Sequence, residues 1–336
     1  MSIIYRYIPE NTFDNPDKQP LVSIVMTSYN QKELSRKALK SLFEQDYRNL
    51  EIVITDDHSS DESVRALTEE CNRYAHNGGL HPIVFSQNER NLGEAKNYEV
   101  GFKLAKGELL ITAGGDDISH PHRVSCIVKH WLEMEKKPTV IFHGLRPINM
   151  DDTPLDYEWW KPTLRNPLGA AMAYSPVVVR DFPEIIYDEG FEDNIFARRA
   201  YLFGEILYIK DKLIDYRIGS GVTSSGSART KREKISKGMV ESTKQNYIDL
   251  DYVKENASPK KIEEVKKLVE EIADTYGLEH LMITGKNPFV RIKAFSKYAR
   301  TGNRLHPPTP YWIVKHYIPI MFPKLTPHTN TLIRVN

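Results

Sequence analysis

The sequence predicts an α/β protein: a mixed, mostly parallel sheet flanked by helices, followed by a helical C-terminal extension. Three observations carry this expectation. Apolar, β-branched runs alternate with amphipathic stretches through the first 120 residues, so each strand run is followed by a helix-length connection. Two of those runs, LEIVITDD ending at Asp57 and GELLITAGGDD ending at Asp117, carry adjacent aspartates where the strand stops. From residue 229 to about 281 the pattern is helical. Carboxylates are costly at the edge of a core unless they face a cation or a hydrogen-bonding ligand, so the two acidic strand ends point to a site.

Residues 21–26 (LVSIVM) form the first strand run, and after it Leu34, Ala38, Leu42 and Phe43 fall near helical spacing. Residues 51–55 are the second strand. The next helix carries Val64, Leu67, Cys71 and Tyr74 at i, i+3, i+7 and i+10, with Ser60 as its expected N-cap and Asn77-Gly78-Gly79 as its stop. Residues 82–85 make a short third strand, 93–106 a third helix closed by Gly107, and 108–112 the fourth strand. This order implies parallel strands with helices on both faces, whose ligands bind beyond the carboxyl ends of the strands. Both Asp-Asp pairs sit at those ends. In the later helical segment, Ile262, Val265, Val269, Ile272 and Tyr276 share one stripe suited to packing on the main body.

At 336 residues, with 40% hydrophobic and 27% charged residues, the chain has the composition of a folded globular protein and the length of one large body plus an appendage. Its two cysteines, Cys71 and Cys126, argue against a disulfide framework and for a reducing compartment. The N-terminal residues lack the basic start and long apolar core of a secretory signal, and no run of about 18 apolar residues occurs, so a cytoplasmic chain that does not span a membrane is expected. Charge is uneven. Residues 285–336 hold nine Lys or Arg and no Asp or Glu, against +1 for the whole chain, so the rest carries a net −8. Interleaved with these bases are Phe289, Phe295, Tyr298, Tyr311, Trp312, Tyr317 and Phe322. Bases with aromatics suit anionic headgroups, so peripheral contact at the inner face of the cell membrane through 285–336 is one expectation. Packing on the main body, or on a second copy in a homo-oligomer, is the competing account. Nucleic acid is not an expected partner.

No GxGxxG follows the first strand and no GxxxxGK[ST] occurs, so neither glycine-cradled phosphate site is available. Carboxylates and a divalent cation must then handle phosphate, and hard oxygen ligands favour Mn²⁺ or Mg²⁺. The residues that follow carry a resemblance. SIVMTSYN (23–30), EIVITDDHSSDES (51–63), NLGEAKN (91–97), GELLITAGGDDISHP (107–121), Glu192-Asp193 and DYRIGSGVTSSG (215–226) resemble, in order, the motifs of family 2 glycosyltransferases of the GT-A fold. The resemblance implies a Rossmann-like catalytic domain over 20–226, with a nucleotide-sugar half at about 20–120 and an acceptor half at about 121–226. Residues 1–19 are then an N-terminal extension and 227–336 a helical, basic and aromatic C-terminal region.

What the resemblance implies residue by residue is a donor site, a metal site and a base. Thr27 and Tyr29 would line the nucleotide pocket, with the Tyr29 ring against the base. Asp57 would accept a hydrogen bond from a ring N–H of uracil or a similar pyrimidine, while Asp56 reads as structural. Capping of the next helix through Ser59, Ser60 and Asp61 is the plainer account of that pair. Asp117 would bind Mn²⁺ or Mg²⁺ directly, and Asp116 would contact the metal through water or the ribose. Gly114 stands where the common Asp-x-Asp-Asp motif has its first aspartate, so the coordination is expected to differ there. Gly114 and Gly115 either admit the donor close to the backbone or make a turn. Lys96 would contact donor phosphate or ribose, or else be paired elsewhere. Asp193 would take the acceptor proton in an inverting transfer, with Glu192 orienting the acceptor or holding the loop, and helping to raise the base's pKa; DEGFEDN is also an acidic helix start. Arg217 with the Ser/Thr/Gly run after it would close over the donor diphosphate as a flap, or form a linker. His120 and His122 receive no role. The implied function is transfer of a sugar from a nucleotide donor, UDP-linked by preference, to a glycan or lipid-linked glycan in cell-surface polysaccharide synthesis. A nucleotidyltransferase, a phosphoacceptor signalling domain and a non-catalytic carbohydrate-binding relative are the other classes that place acids at strand ends.

Overall fold

The computed structural model describes residues 1–9, 18–156, 161–221, 227–285 and 287–300. Residues 222–226 of the expected flap, and Lys286, Arg304, Tyr311, Trp312, Lys315, Tyr317, Phe322 and Lys324 of the basic end, lie outside them. The chain begins with β1 (Ser2–Tyr7) and then alternates β2 (Val22–Ser28), α1 (Lys32–Phe43), β3 (Leu50–Asp56), α2 (Ser63–His76), β4 (Ile83–Gln87), α3 (Glu94–Leu104) and β5 (Leu109–Ala113). A second series follows: β6 (Ile118–Ser119), α4 (Arg123–Glu133), β7 (Thr139–Ile148), β8 (Met172–Tyr174), α5 (Val177–Arg180), α6 (Glu192–Phe203) and β9 (Glu205–Arg217). The C-terminal region is α7 (Ala228–Val253), α8 (Pro259–Thr284) and α9 (Pro288–Arg300).

The strands form one mixed sheet in the order β1-β4-β3-β2-β5-β8-β7-β9-β6. Its centre, β4-β3-β2-β5, is parallel, with Val22 aligned to Leu50 on one side and Leu109 on the other. These strands are buried almost throughout, as continuous apolar runs require when helices cover both faces. Alternation divides them: Ile24, Met26, Ile52 and Ile54 pack with Leu39 and Leu42 of α1 and Leu67 of α2, whereas Val25, Val53 and Leu110 pack with Tyr98 and Phe102 of α3 and Phe196 of α6. Truncating one such buried leucine costs about 2–5 kcal/mol.

Three details differ from the sequence expectation. The N-terminal extension contributes β1, an edge strand antiparallel to β4. Ser60 is not a helix cap: α2 starts at Ser63 with Glu62 at the cap position, and the Ser60 amide donates instead to Asn30 Oδ1 (2.8 Å). The helical segment after residue 227 is broken at Ser258-Pro259, where proline suits the first turn of a new helix. The stripe of α8 packs Val265 and Val269 against Phe182, Leu202, Leu250 and Val253, so α7 and α8 are built onto the α6 side of the body. Buried Arg199 of α6 and Asp249 of α7 make a two-pronged ion pair at 2.8 Å on both prongs, and the remaining Arg199 donors reach the carbonyls of Val178 and Pro183. No helix among the described residues is long and apolar enough to cross a membrane.

Candidate active site

The carboxyl ends of β2, β3 and β5 and the N-termini of α3 and α6 meet in one cleft. At the end of β2, half-buried Thr27 leads into exposed Tyr29 and then Asn30, whose φ of +52° is one asparagine tolerates better than most residues. Asn30 Oδ1 accepts the amides of Ser60 (2.8 Å) and Asp61 (3.3 Å), and Ser59 Oγ accepts the Asn30 amide (2.9 Å). Asp56 fixes that partner loop by accepting the Ser59 amide (2.8 Å) and hydroxyl (2.5 Å). Asp57 faces the other way. It accepts Asn88 Nδ2 (3.0 Å) and the amides of Leu92 (2.8 Å) and Gly93 (2.9 Å), which pins the start of α3. Burial raises the pKa of both aspartates, against these hydrogen bonds.

The second pair is built differently. Asp117 Oδ1 accepts the Arg217 amide (2.8 Å) and Asp116 Oδ2 accepts Gln31 Nε2 (3.2 Å). Among the described residues no donor is hydrogen-bonded to Asp116 Oδ1 or Asp117 Oδ2, and both oxygens converge over Gly114. A Cβ placed on Gly114 would lie 2.9 Å from the first and 3.0 Å from the second. Gly115 is needed for another close approach, since its Cβ would stand 2.8 Å from the Thr27 carbonyl. Burial, then Asp116, drives the Asp117 carboxyl well above the usual carboxylate range, with Arg123 and Arg217 opposing. Arg123 lies fully buried beneath and donates to the carbonyls of Thr112 (2.8 Å) and Ala170 (3.0 Å) and to Ser119 Oγ (3.0 Å), tying the end of β5 to α4.

Opposite stands the N-terminus of α6. Glu192 is buried, its Oε1 filling the space a side chain at Gly169 would need, and burial followed by Glu94 and Asp193 pushes its carboxyl well up. Asp193 is only half-buried, and accepts Asn194 Nδ2 (2.7 Å) and the Gly169 amide (3.3 Å). Burial raises its pKa too, against Asn194, Arg198 and Gly169. Glu94, at the first turn of α3, retains solvent access yet is pushed up to about 7 by desolvation and by Asp193, Asp116 and Asp57. Half-buried Tyr216 is raised by burial and by Asp117, Asp116, Glu94 and Asp193. The acids of β5, α3 and α6 therefore surround one space. Among the described residues no group of three or more His, Cys, Asp or Glu is placed to hold a metal ion, so the two converging oxygens of Asp116 and Asp117 would be the protein's share of any divalent-cation site, a share that hard oxygen donors fit.

The structure brings Asp57, Asp116, Asp117, Glu192 and Asp193 to this cleft, with Thr27 and Tyr29 at the β2 end. Lys96 is paired: its Nζ donates to the Ile186 carbonyl (3.0 Å) and to Asp188. The Arg217 guanidinium is buried on the carbonyls of Asp116 (2.9 Å) and Asn149 (2.8 Å) and on Asp152, so it braces the loop that carries Asp116 and Asp117. His120 bonds Asp215 (2.9 Å), which Arg146 also clasps; although burial opposes it, these two hold Asp215 at about 2. Glu94, Tyr216 and Arg123 were missed in the sequence. Glu94 reads there as an ordinary acid at a helix start, and Arg123 as the end of a His-rich loop.

The description "Glycosyl transferase family 2" belongs to the family model that matches residues 23–195. An uncharacterized glycosyltransferase of Rickettsia felis is 33% identical over 144 residues, 41% of this chain and 22% of that protein. One from Nostoc sp. is 24% identical over 244 residues, 67% of this chain and 73% of that protein. The matched region is thus about a fifth of the first relative's length and about three quarters of the second's. Among solved structures, S. aureus TarS in complex with UDP-GlcNAc has a TM-score of 0.52 at 20% identity, covering 83% of this chain and 81% of that one. The mannosyltransferase PcManGT from Pyrobaculum calidifontis, in complex with GDP-Man and Mn²⁺, has a TM-score of 0.54 at 15% identity, covering 95% and 91%. At these identities the likeness is one of fold.

Proposed function

The chain belongs to glycosyl transferase family 2 and is a glycosyltransferase, and from that premise we propose an inverting, divalent-cation-dependent transfer from a nucleotide-sugar donor, UDP-linked, to a glycan or lipid-linked glycan of the cell surface. One observation carries the reading: half-open Asp193 and closed Glu192 face, across a shared cleft, two aspartate oxygens that converge over Gly114. Asp116 and Asp117 would hold Mn²⁺ or Mg²⁺, which when bound supplies a Lewis acid that neutralises charge on the departing diphosphate. Tyr29 offers an exposed ring to the base, and Asp57, already holding the 88–93 loop, keeps acceptor capacity for a ring N–H. Asp193 Oδ2 or Oδ1 takes the acceptor hydroxyl proton as that oxygen attacks the anomeric carbon from the face opposite the diphosphate. Burial, Glu94 and Asp193 hold the Glu192 carboxyl well above the usual range, and Glu192 is closed off, which leaves half-open Asp193 as the base.

The test is a screen of UDP-, GDP- and dTDP-sugars for Mn²⁺-dependent binding or slow hydrolysis. Binding of none with metal present overturns the reading. Asp193→Asn is expected to keep donor binding and lose about 10²- to 10⁴-fold in transfer; undiminished transfer removes Asp193 as base.

The acceptor would be met at a membrane surface. On α9, Phe289 (81% exposed), Val290 and Ile292 project beside exposed Lys293 and Lys297, an apolar and basic face complementary to anionic headgroups. Flotation with phosphatidylglycerol-containing vesicles, but not with phosphatidylcholine vesicles, is the expected outcome, abolished by Phe289→Glu. Equal flotation with both would reject the contact.

A further inference from the structure

We infer that Arg198 and Asn246 are positioning residues for Asp193, so that α7, which lies beyond the segment matched by the family model, sets the orientation of the base. The inference rests on the reading of Asp193 as that base. Its starting point is a pair of adjacent arginines on α6 with opposite tasks. Arg199 is spent on Asp249 and two carbonyls, and joins α6 to α7. Arg198 points instead along its own helix, where residues four apart share a face.

Arg198 Nη1 donates to the Asn194 carbonyl (2.8 Å) and to Asn246 Oδ1 (2.7 Å), and Nη2 donates to Asn194 Oδ1 (2.7 Å). Asn246 Nδ2 in turn reaches the Asn194 carbonyl (3.4 Å), and Asn194 Nδ2 donates to Asp193 Oδ1 (2.7 Å). Donor chemistry gives the chain of bonds one direction. A guanidinium has five N–H donors and no acceptor, so the amide of Asn194 must turn its oxygen toward Arg198. Its NH₂ is then forced toward Asp193. The same constraint fixes Asn246, whose oxygen must face the guanidinium. Asn194, Arg198 and Asn246 are all buried, at 6%, 1% and 2% exposure, so water does not compete for these bonds. Asp193 Oδ1 is thereby occupied on the α6 side, which leaves its other lone pairs toward the cleft.

Charge adds to orientation. Glu94 of α3, Glu192 of α6, Tyr174 of β8 and Tyr216 of β9 all lie in the field of Asp193, which raises each of them. Arg198 is the cation that acts on Asp193 itself, lowering its carboxyl against burial. Burial lowers its own pKa to about 10, which leaves it charged at neutral pH. Among the described residues its buried Nε has no partner, so the side chain keeps this pose at the expense of one donor, as a residue held for direction rather than for maximal bonding would.

The experiment follows the Asp193 carboxyl by ¹³C NMR against pH in the full chain, assigned by difference with Asp193→Asn. Arg198→Met is expected to raise its midpoint by about one unit or more, because loss of a nearby cation and a fixed donor favours the protonated form. Asn246→Ala, a milder change that keeps the charge, is expected to raise it less, and Arg198→Lys to hold it near the wild-type value. Asp249→Asn, which breaks the neighbouring Arg199 pair, is expected to lower Tm and leave the midpoint in place. In Mn²⁺-dependent hydrolysis of UDP-GlcNAc or GDP-mannose, Asn246→Ala and Arg198→Met should lower kcat about 10- to 100-fold with the donor KM unchanged. The acid limb of the rate profile should move up with the midpoint. A midpoint that stays fixed in both variants, or moves equally in Asp249→Asn, overturns the inference. Full activity of Asp193→Asn sinks the base assignment instead, so the two failures are separable.

Discussion

The two Asp-Asp pairs end the strands on either side of β2, yet they are built for different work. Asp56 and Asp57 each accept three hydrogen bonds from the loops around them, so their oxygens are committed to holding residues 59 and 88–93 in place. Asp116 and Asp117 each accept one among the described residues, and turn their remaining oxygens together over Gly114. A buried carboxylate that accepts three hydrogen bonds from its own chain organises a loop and has little acceptor capacity to spare. One that the chain leaves half satisfied is poised for something the chain does not supply.

The sharpest way to break this comparison is to neutralise one residue of each pair. Asp117→Asn is expected to abolish Mn²⁺-dependent donor binding and lower turnover by about 10³-fold, the scale of losing a Lewis acid worth several kcal/mol. Asp57→Asn should instead lower stability by about 1–3 kcal/mol, because the amide leaves one N–H of its loop unmatched, and should keep the Mn²⁺ dependence. Isothermal titration with nucleotide, with and without metal, and denaturant melts separate the two outcomes. A reversal would show that the base-side pair holds the metal.

A second, smaller effect concerns pH. Glu94 is raised from 4.5 to about 7, so between those values the folded chain binds more protons than the unfolded one. Stability from this group is therefore present at low pH and declines as pH rises through that window. His81, lowered by burial to about 4, and His143, also lowered, act in the opposite sense below about pH 6.5. The difference between wild type and Glu94→Gln isolates the acid. In the metal-free protein, the wild type should lose about 1 kcal/mol, or about 2–4 °C, relative to Glu94→Gln between pH 5.5 and 8, solvent screening holding the effect to this size. Mn²⁺ should restore it. No difference between the two melting curves would mean that the cleft acids do not share one field.

The smallest expected effects come from Gly114→Ala and Ser59→Ala. The added methyl crowds both converging oxygens, so Mn²⁺ affinity should fall about tenfold, or about 1.4 kcal/mol, with Tm nearly unchanged. Ser59→Ala removes a bond to Asp56 and should cost about 1 kcal/mol of stability with Mn²⁺ affinity intact. Metal titrations followed by thermal melts check both.

Much of the first half was legible because parallel strands buried on both faces must be continuously apolar, and because Asp57 and Asp117 interrupt such runs. The helix between β3 and β4 was legible from its apolar spacing, but its start was not. Ser60 has the chemistry of a cap, and only its distance to Asn30 reveals that it is used elsewhere. β1 was hidden because Ser2–Tyr7 is an exposed edge strand with no buried pattern to read. Lys96 and Arg217 carry the charge expected of phosphate contacts, but their partners, Asp188 and Asp152, lie 92 and 65 positions away.

The sequence alone determined the order of strands and helices from residue 21 to 112, the placement of acids at the carboxyl ends of those strands, and the family, because all of these follow from local periodicity and short motifs. Tertiary structure decided which oxygens stay open. The donor to Asp117 comes from a backbone amide 100 residues along the chain, and the bond that aims Asn194 at Asp193 depends on Asn246 of a different helix. Hydrogen-bond satisfaction is a property of neighbours in space, so the difference between an aspartate that holds a loop and one that awaits a ligand appears only when the sheet is assembled.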